Sequence, residues 1–306
     1  MLLRLNGKEK VSGRRKVGLA LSGGGLRGVA HIGVLSAFVK AGIPIDFISG
    51  TSAGAIIAAL YTSGYTPQQM SHLALRLKPG ELVDFKLTFG DVFKHSIKWL
   101  MGRKGRFWSA LPTGLIKGDR IERYLTELLH ERTVRDTKIP VAITAVDLLS
   151  ADTVFFTTPL PGKRAILHAR YYHNTPLVEA VRASISIPGV FHPKSYRGMI
   201  LVDGAVKNNL PTDVLRLMGA DVVVAVDLGY DGQPVTEMKT VGDILLQCIE
   251  IMGREVTLLK GREHADILIR PDMYEVAVKD TRYIQMGIER GEQAARHKIS
   301  EIKKLL

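Results

Sequence analysis

Short apolar runs rich in β-branched residues alternate with stretches of helical periodicity along most of this 306-residue chain. The first run, residues 16–22, leads into a glycine-rich loop and then a helical stretch. A second run at 43–49 precedes a helical stretch at 52–63, and comparable runs recur at 140–146 and 221–227. Strands that alternate with helices in this way are typical of βαβ units. The sequence therefore predicts an α/β fold with a mainly parallel central sheet.

The chain contains neither an internal repeat nor a linker between two cores, which predicts one domain over residues 16–306 after a basic N-terminal tail at 1–15. Residues 79–118 are the least regular part, and segments of this length are usually functional or mobile, so we expect an insertion or lid. The single cysteine, Cys248, excludes an internal disulfide and a cysteine-rich zinc site. Its apolar helical setting predicts a buried thiol, and we expect neither a metal nor a cofactor.

The positive charge of the chain is concentrated in two segments. The formal net charge is +12, of which residues 1–16 carry +5 and residues 92–118 carry six cations without an acid. A local excess of this kind does not predict a nucleic-acid partner. No apolar run approaches the ~18 residues of a spanning helix, and the N-terminus lacks the apolar core of a secretory signal. We therefore expect a cytoplasmic location.

A glycine-rich loop follows the first predicted strand. Gly23, Gly25 and Gly28 match the G-x-G-x-x-G pattern of dinucleotide-binding folds. That pattern also needs an acidic residue at the end of the second strand, and the one acid there, Asp46, is followed by more strand. The sequence therefore disfavours a dinucleotide site. The loop could instead direct backbone N–H groups toward a developing negative charge, as an oxyanion hole does.

A second glycine motif, Gly50-Thr51-Ser52-Ala53-Gly54, has the G-x-S-x-G pattern between a predicted strand and a predicted helix. Flanking glycines permit the tight turn that exposes a serine hydroxyl at the end of a strand. The helix N-terminus at this point favours negative charge. The motif predicts Ser52 as a nucleophile.

A serine nucleophile needs a general base. The base is usually a histidine held by a carboxylate, and the histidines that follow Asp203 in the chain are His264 and His297. Three aspartates end predicted strands instead, at Asp147, Asp203 and Asp227. Spacing alone does not choose among these residues.

In combination, four motifs resemble those of the patatin-like phospholipase family. They are S-G-G-G-L-R-G at 22–28, G-T-S-A-G at 50–54, R-A-S-I-S-I-P-G-V-F at 182–191 and D-G-A-V-K-N-N-L-P at 203–211. The chain is most similar to the short bacterial branch related to the esterase domain of neuropathy target esterase. This resemblance implies a three-layer α/β/α sandwich.

The resemblance also implies the catalytic residues. Ser52 would be the nucleophile and Asp203 the general base of a Ser–Asp dyad that works without histidine. The oxyanion donors implied are Gly23, Gly24 and Gly25. The supporting residues implied are Arg27, Gly28, Gly50, Gly54 and Gly204. In the last motif Ala205 stands where many members of the family have glycine.

The basic segment 92–118 combines six cations with both tryptophans of the chain. Cations beside interfacial aromatic residues are typical of a peripheral membrane contact. The residues expected to contact an anionic membrane are Lys94, Lys98, Trp99, Arg103, Lys104, Arg106 and Trp108. The alternative is a helix packed on the core with a solvated basic rim. If the contact forms, the protein would be peripheral at the inner face of the membrane.

Together these features predict a serine acyl hydrolase that cleaves the acyl esters of phospholipids or lysophospholipids. Two alternatives stay open: an esterase or thioesterase for soluble acyl substrates, and a non-catalytic protein that binds lipid or a partner through its basic segment.

Overall fold

The computed structural model describes residues 13–77, 113–162, 164–229, 238, 240–273 and 283–306. The strands are β1 (Val17–Leu21), β2 (Phe47–Thr51), β3 (Gly114–Ile116), β4 (Val141–Asp147), β5 (Thr153–Thr157), β6 (Ala169–Tyr172), β7 (Gly189–Phe191), β8 (Lys194–Tyr196), β9 (Met199–Asp203), β10 (Val222–Val226) and β11 (Ile267–Ile269). The helices are α1 (Ala30–Ala41), α2 (Ala53–Thr62), α3 (Pro67–Arg76), α4 (Asp119–Leu129), α5 (Leu177–Ser184), α6 (Ala205–Asn208), α7 (Thr212–Met218), α8 (Val241–His264) and α9 (Ile284–Leu305). A 3₁₀ turn, Gly25–Val29, precedes α1.

Nine of these strands form one sheet in the order β11-β10-β1-β2-β4-β5-β6, with β9 beside the last residues of β4 and β8 beside β9. Every pair from β11 to β4 is parallel, as is the pair β5 and β6. The pairs β4–β5, β4–β9 and β8–β9 are antiparallel. The predicted α/β fold with a mostly parallel central sheet is confirmed, and the three antiparallel pairings are an addition that the sequence pattern does not predict.

The sheet has a separate apolar core on each face. In β10, Val222, Val224 and Val226 pack with side chains of α1, α2, α5 and α9. The residues between them, Val223 and Ala225, pack with side chains of α7 on the opposite face. Because both faces are covered, a strand such as β10 is apolar along its whole length rather than alternating. The result is the three-layer arrangement that the family resemblance implies.

Two strands approach the same edge of β4 from opposite directions. β2 runs parallel to β4 and ends with Thr51 opposite Thr144. β9 runs antiparallel to β4 and ends with Asp203 opposite Ala145. Because Thr144 and Ala145 are neighbours, the C-terminal ends of β2 and β9 meet. The residue that follows β2 is Ser52, so this pairing brings Ser52 and Asp203 together.

Two local expectations are wrong. β2 begins at Phe47 and not at residue 43, because Ile43 still closes the end of α1 through a hydrogen bond to the Phe38 carbonyl. Cys248 is exposed on α8, and not buried as its apolar neighbours suggest. Within the part of the chain that the structure describes, no helix is long and apolar enough to cross a membrane.

Candidate active site

Ser52 occupies the turn between β2 and α2 with φ 54° and ψ −121°. A side chain held at such a positive φ costs ~1–3 kcal/mol, and only close packing maintains it. A Cβ on Gly50 would collide with the Gly54 carbonyl group, and one on Gly54 would collide with the Leu21 carbonyl group. These close approaches explain the G-x-S-x-G spacing. The turn leaves the serine hydroxyl at the C-terminal end of β2.

A second serine holds the backbone of this turn. The N–H of Ser52 donates to Oγ of Ser184 at 2.9 Å, and Oγ of Ser184 donates to the Thr144 carbonyl oxygen at 2.6 Å. The hydroxyl of Ser184 therefore ties the end of α5 to both the turn and β4. The sequence alone does not predict this role of Ser184. The one indication is that Ser184 lies within the motif at 182–191 that resembles the family.

Asp203 is buried at the end of β9, and its Oδ1 accepts a hydrogen bond from the Ala205 N–H at 2.8 Å. Burial raises the pKa of the Asp203 carboxyl to about 7. Hydrogen bonds from the Ser52 hydroxyl and the Ala205 N–H lower this pKa, and the nearby negative charge of Glu250 raises it further. Loss of water around a carboxylate disfavours its charged form. The carboxyl beside Ser52 is therefore half-ionised near neutral pH.

The other two aspartates at strand ends, Asp147 and Asp227, stabilise the fold. Asp147 accepts hydrogen bonds from the Ser150 hydroxyl and the Ile200 N–H, which joins β4 to β9. Asp227 forms an ion pair with Arg270 at 2.9 Å. Of the three aspartates that the sequence leaves open, the structure brings Asp203 next to Ser52.

The glycine loop after β1 corrects one expectation. The N–H of Gly23 is occupied by Asn209, whose carbonyl oxygen lies at 3.3 Å and whose Oδ1 lies at 3.0 Å. Gly23 therefore anchors the loop and is not a free donor. In the described part of the chain no group accepts a hydrogen bond from the N–H of Gly24 or Gly25, and both residues border the same cavity as Ser52.

A buried histidine fixes the start of this loop. Nε2 of His31 lies 2.8 Å from the carbonyl oxygen of Ser22, so this nitrogen carries the proton and donates it. Burial lowers the pKa of His31 to about 4, which keeps the ring neutral at physiological pH. The Ser22 hydroxyl in turn accepts a hydrogen bond from the Leu228 N–H at 2.7 Å. The sequence gives no signal for this role of His31.

The expected supporting residues act mainly through close packing. A Cβ on Gly28 would overlap Cβ of Ala53, and a Cβ on Gly204 would collide with the Thr144 carbonyl group. Nε of Arg27 donates to the Gly24 carbonyl oxygen at 3.3 Å, and its Nη2 lies 3.6 Å from Glu250. Arg27 therefore orients the loop and brings an acidic side chain to the rim of the site.

Two cavities meet at Ser52. The first cavity, about 220 Å³, is bordered by the charged groups of Arg27, Asp203, Glu250 and Arg254 and by apolar side chains such as Val206 and Ile249. The apolar chamber, about 370 Å³, lies among α2, α3 and α4. Its walls include Ile57, Leu60, Met70, Leu73, Leu125 and Leu128. Gly25, Ser52 and Ile187 border both cavities.

The histidines that could have completed a triad lie elsewhere. His264 is the last residue of α8, where its Nε2 lies 3.6 Å from a carboxylate oxygen of its neighbour Glu263, and His297 is exposed on α9. No histidine is among the described residues that border either cavity. In the same described ranges, no group of three His, Cys, Asp or Glu side chains could hold a metal ion.

The expected membrane contacts lie outside the described residues. These are Lys94, Lys98, Trp99, Arg103, Lys104, Arg106 and Trp108. The insertion or lid expected at 79–118 lies outside them as well, except for residues 113–118, and so does most of the tail at 1–15.

The fold and the site define a class: a three-layer α/β protein with a strained serine turn, a glycine loop and an aspartate where serine hydrolases usually have a histidine. Residues 19–216 match the family model described as patatin-like phospholipase. The chain therefore belongs to the patatin-like phospholipase family, as its motifs predict.

Curated relatives are similar over most of this chain. The human patatin-like phospholipase domain-containing protein 6 is 28% identical over 266 residues, which cover 85% of this chain and 16% of that protein. Lysophospholipase nte1 of Aspergillus fumigatus is 31% identical over 221 residues, which cover 70% of this chain and 12% of that protein. The chain thus spans less than a fifth of the length of either relative.

The solved structure of human GIVD cytosolic phospholipase A2 has a similar fold. The two superpose with a TM-score of 0.50 at 11% sequence identity, over 95% of this chain and 60% of that one.

Proposed function

We propose that this chain is a serine acyl hydrolase that cleaves an acyl ester of a phospholipid or lysophospholipid. In this proposal Ser52 is the nucleophile, Asp203 is the general base, and the N–H groups of Gly24 and Gly25 stabilise the oxyanion. The observation that carries the proposal is the meeting of β2 and β9 on β4. It sets the hydroxyl of a strained serine beside a buried carboxyl whose pKa lies near 7.

In the acylation step, ionised Asp203 accepts the proton of the Ser52 hydroxyl as Oγ bonds to the ester carbonyl carbon. The carbonyl electron pair moves onto oxygen, where the N–H groups of Gly24 and Gly25 stabilise the negative charge. When the tetrahedral adduct collapses, the carbon–oxygen bond of the ester breaks. The leaving alcohol takes the proton from Asp203, and the acyl group stays on Ser52.

In the deacylation step, water attacks the acyl-Ser52 carbonyl group and gives its proton to Asp203. Collapse of this second adduct releases the fatty acid, and the proton returns to Oγ of Ser52. A base whose pKa lies near the working pH accepts and returns a proton with little loss in either direction. The value of about 7 for Asp203 suits both steps.

The lipid part of the proposal rests on two supports. The relatives are named as a phospholipase domain-containing protein and a lysophospholipase. Beside Ser52 there is also an apolar chamber, which a soluble, short acyl ester would not need. An esterase or thioesterase for soluble substrates would use the same Ser–Asp pair, and a non-catalytic lipid-binding protein would not need it.

We also propose that the segment 92–118 attaches the protein reversibly to an anionic membrane surface. Its six cations and two tryptophans support this, because each cation near such a surface contributes ~1 kcal/mol. The membrane would then present the lipid to the Ser52 site.

The test of the catalytic proposal is a Ser52→Ala variant assayed beside the wild type with a panel of lipids and p-nitrophenyl esters. Free fatty acid is measured by mass spectrometry, and a fluorophosphonate probe is mapped by peptide sequencing. The wild type should release fatty acid and carry the probe on Ser52, and the variant should do neither. Appreciable ester turnover by Ser52→Ala would contradict the mechanism. A wild type that binds lipid but neither turns it over nor takes the probe would favour the non-catalytic alternative.

A further inference from the structure

Asn209 has an amide group in the wall of the first cavity. Its side chain is only 8% exposed, and it borders that cavity together with Ser52 and Asp203. The Gly23 N–H donates to its Oδ1 at 3.0 Å. Because a backbone N–H can only donate, the atom that faces Gly23 must be the amide oxygen, and Nδ2 is the other end of the amide group. The contact with Gly23 therefore fixes the orientation of the two N–H groups of Asn209.

This amide group lies close to Ser52. A Cβ built on Gly23 would be 2.6 Å from Oδ1 of Asn209 and 3.2 Å from Cβ of Ser52, so the two side chains flank the same glycine. A Cβ built on Gly229, which also borders the first cavity, would be 3.4 Å from Nδ2 of Asn209. Both neighbours of the amide group are glycines, and neither puts a side chain between Nδ2 and the cavity.

The adjacent Asn208 is a structural asparagine in the same segment. Its Nδ2 donates to both carboxylate oxygens of Asp213, at 3.0 and 3.1 Å, and it does not border the first cavity. Among the residues that the structure describes, no group accepts a hydrogen bond from Nδ2 of Asn209. Buried amide groups nearly always have a partner, and an unpaired one costs stability. A donor left open beside Ser52 is suited to an acceptor that arrives with the substrate.

We infer that Nδ2 of Asn209 is a third donor of the oxyanion hole, beside the N–H groups of Gly24 and Gly25. This inference rests on the proposed function and deepens it. The N–H of Gly23, which the family resemblance implies as a donor, holds the Asn209 amide in place instead. As the tetrahedral adduct forms, the carbonyl oxygen of the ester gains negative charge and accepts hydrogen bonds from all three donors. A donor fixed before the reaction stabilises this charge without having to reorganise.

The first test compares p-nitrophenyl butyrate with its thionoester analogue, in which sulfur replaces the carbonyl oxygen. Sulfur accepts hydrogen bonds weakly, so the loss of an oxyanion donor slows the ester more than the thionoester. Asn209→Ala should lower kcat for the ester by ~10²–10³-fold, the effect of one lost donor, and leave KM nearly unchanged. The ratio of ester to thionoester turnover should fall with it. The matched control is Asn208→Ala, which removes a paired amide and should lower stability but leave this ratio unchanged.

A second variant separates the donor from the anchoring of Gly23. In Asn209→Ala the backbone carbonyl oxygen of residue 209 remains, and it already lies 3.3 Å from the Gly23 nitrogen. Asn209→Asp also keeps a side-chain acceptor for that N–H, but its ionised carboxylate has no donor, so it should be as slow as Asn209→Ala. Recovery of kcat in Asn209→Asp would show that anchoring is the whole role and would overturn the inference. An unchanged ratio in an Asn209→Ala protein that circular dichroism shows to be folded would overturn it as well.

A binding measurement keeps this inference distinct from the proposed function. The chain has four asparagines, so ¹⁵N labelling of asparagine gives four pairs of side-chain amide signals in NMR spectra, and the pair from Asn209 is the one that Asn209→Ala removes. In the Ser52→Ala protein, octanoate, whose carboxylate oxygens carry negative charge as an oxyanion does, should shift the Asn209 signals and leave those of Asn208 in place. If the wild type hydrolyses no ester, the proposed function fails, and this titration still decides the role of Asn209. Asn209 signals that octanoate does not move would refute the third donor, even in an active enzyme.

Discussion

Replacing Asp203 by asparagine should remove activity and at the same time stabilise the fold above neutral pH. Asparagine keeps the shape of the side chain and can still accept the hydrogen bond from the Ala205 N–H, but it cannot accept a proton. The loss of general-base catalysis should lower kcat by at least ~10²–10⁴-fold. The stabilisation follows because the wild-type carboxyl must ionise in a buried position.

The sign and size of this effect follow from the two pKa values. Burial raises the pKa of Asp203 from 3.8 in the unfolded chain to about 7 in the folded protein. Between these values the unfolded state has lost the proton and the folded state still holds it, so the stability of the wild type falls as pH rises. At ~1.4 kcal/mol for each pH unit, the fall totals about 4 kcal/mol above pH 7. Below about pH 4 the ionisation of Asp203 costs no stability, because the carboxyl is protonated in both the folded and the unfolded state.

Urea unfolding followed by circular dichroism at about pH 5 and about pH 8 measures this difference. The stability of Asp203→Asn relative to wild type should increase by about 3 kcal/mol between the two pH values, because about two units of the interval lie below the folded-state pKa. Asp147→Asn is the matched control. Although burial opposes it, hydrogen bonds hold the pKa of Asp147 below its ordinary value. The effect of Asp147→Asn should therefore not change over this range. A pH-independent effect of Asp203→Asn would refute the raised pKa and the catalytic argument built on it.

Three further predictions concern the strain, the charge and the membrane contact of the site. Ser52→Gly should raise stability by ~1–3 kcal/mol in the same unfolding assay while abolishing activity, since glycine tolerates the positive φ; no gain would show that the turn is unstrained. Glu250→Gln should move the acid limb of the pH–rate profile to lower pH, because Glu250 helps to raise the pKa of Asp203; an unmoved limb would contradict that coupling. Vesicle sedimentation should show salt-sensitive binding to anionic lipid. Charge reversal should weaken this binding and lipid hydrolysis but spare a soluble ester, and an equal loss on both substrates would contradict the membrane contact. The residues to reverse are Lys98, Arg103, Lys104 and Arg106.

The local parts of the site could be predicted from the sequence, because each depends on a few adjacent residues. The strand before Ser52, the glycines around it and the helix after it form one continuous pattern. The same holds for the glycine loop after β1. Choosing Asp203 over Asp147 and Asp227 from spacing alone was not possible, since the choice depends on the antiparallel docking of β9 on β4. The family resemblance supplied it instead.

The remaining site residues depend on contacts between distant segments. The N–H of Gly23 donates to Asn209, which lies 186 positions further along the chain. Because the sequence does not reveal a hydrogen bond between such distant residues, it predicts Gly23 to be a free oxyanion donor. Ser184 reaches Ser52 across 132 positions. Such hydrogen bonds leave no periodic or composition signal. Similarly, the apolar run at 43–49 predicts too early a start for β2, because such a run does not reveal where a helix ends and a strand begins.

The head-to-head meeting of β2 and β9 has a consequence for the protein while it is being synthesised. Ser52 is synthesised early, but Asp203, its proposed base, lies on β9, and the glycine loop is tied to Leu228, which follows β10. Long-range strand pairing forms late because its loop-closure entropy must first be overcome. A nascent chain would therefore carry Ser52, the proposed nucleophile, for most of translation without the proposed base and without a fixed glycine loop. The proposed hydrolase would thus acquire its reactivity only after the sheet has closed.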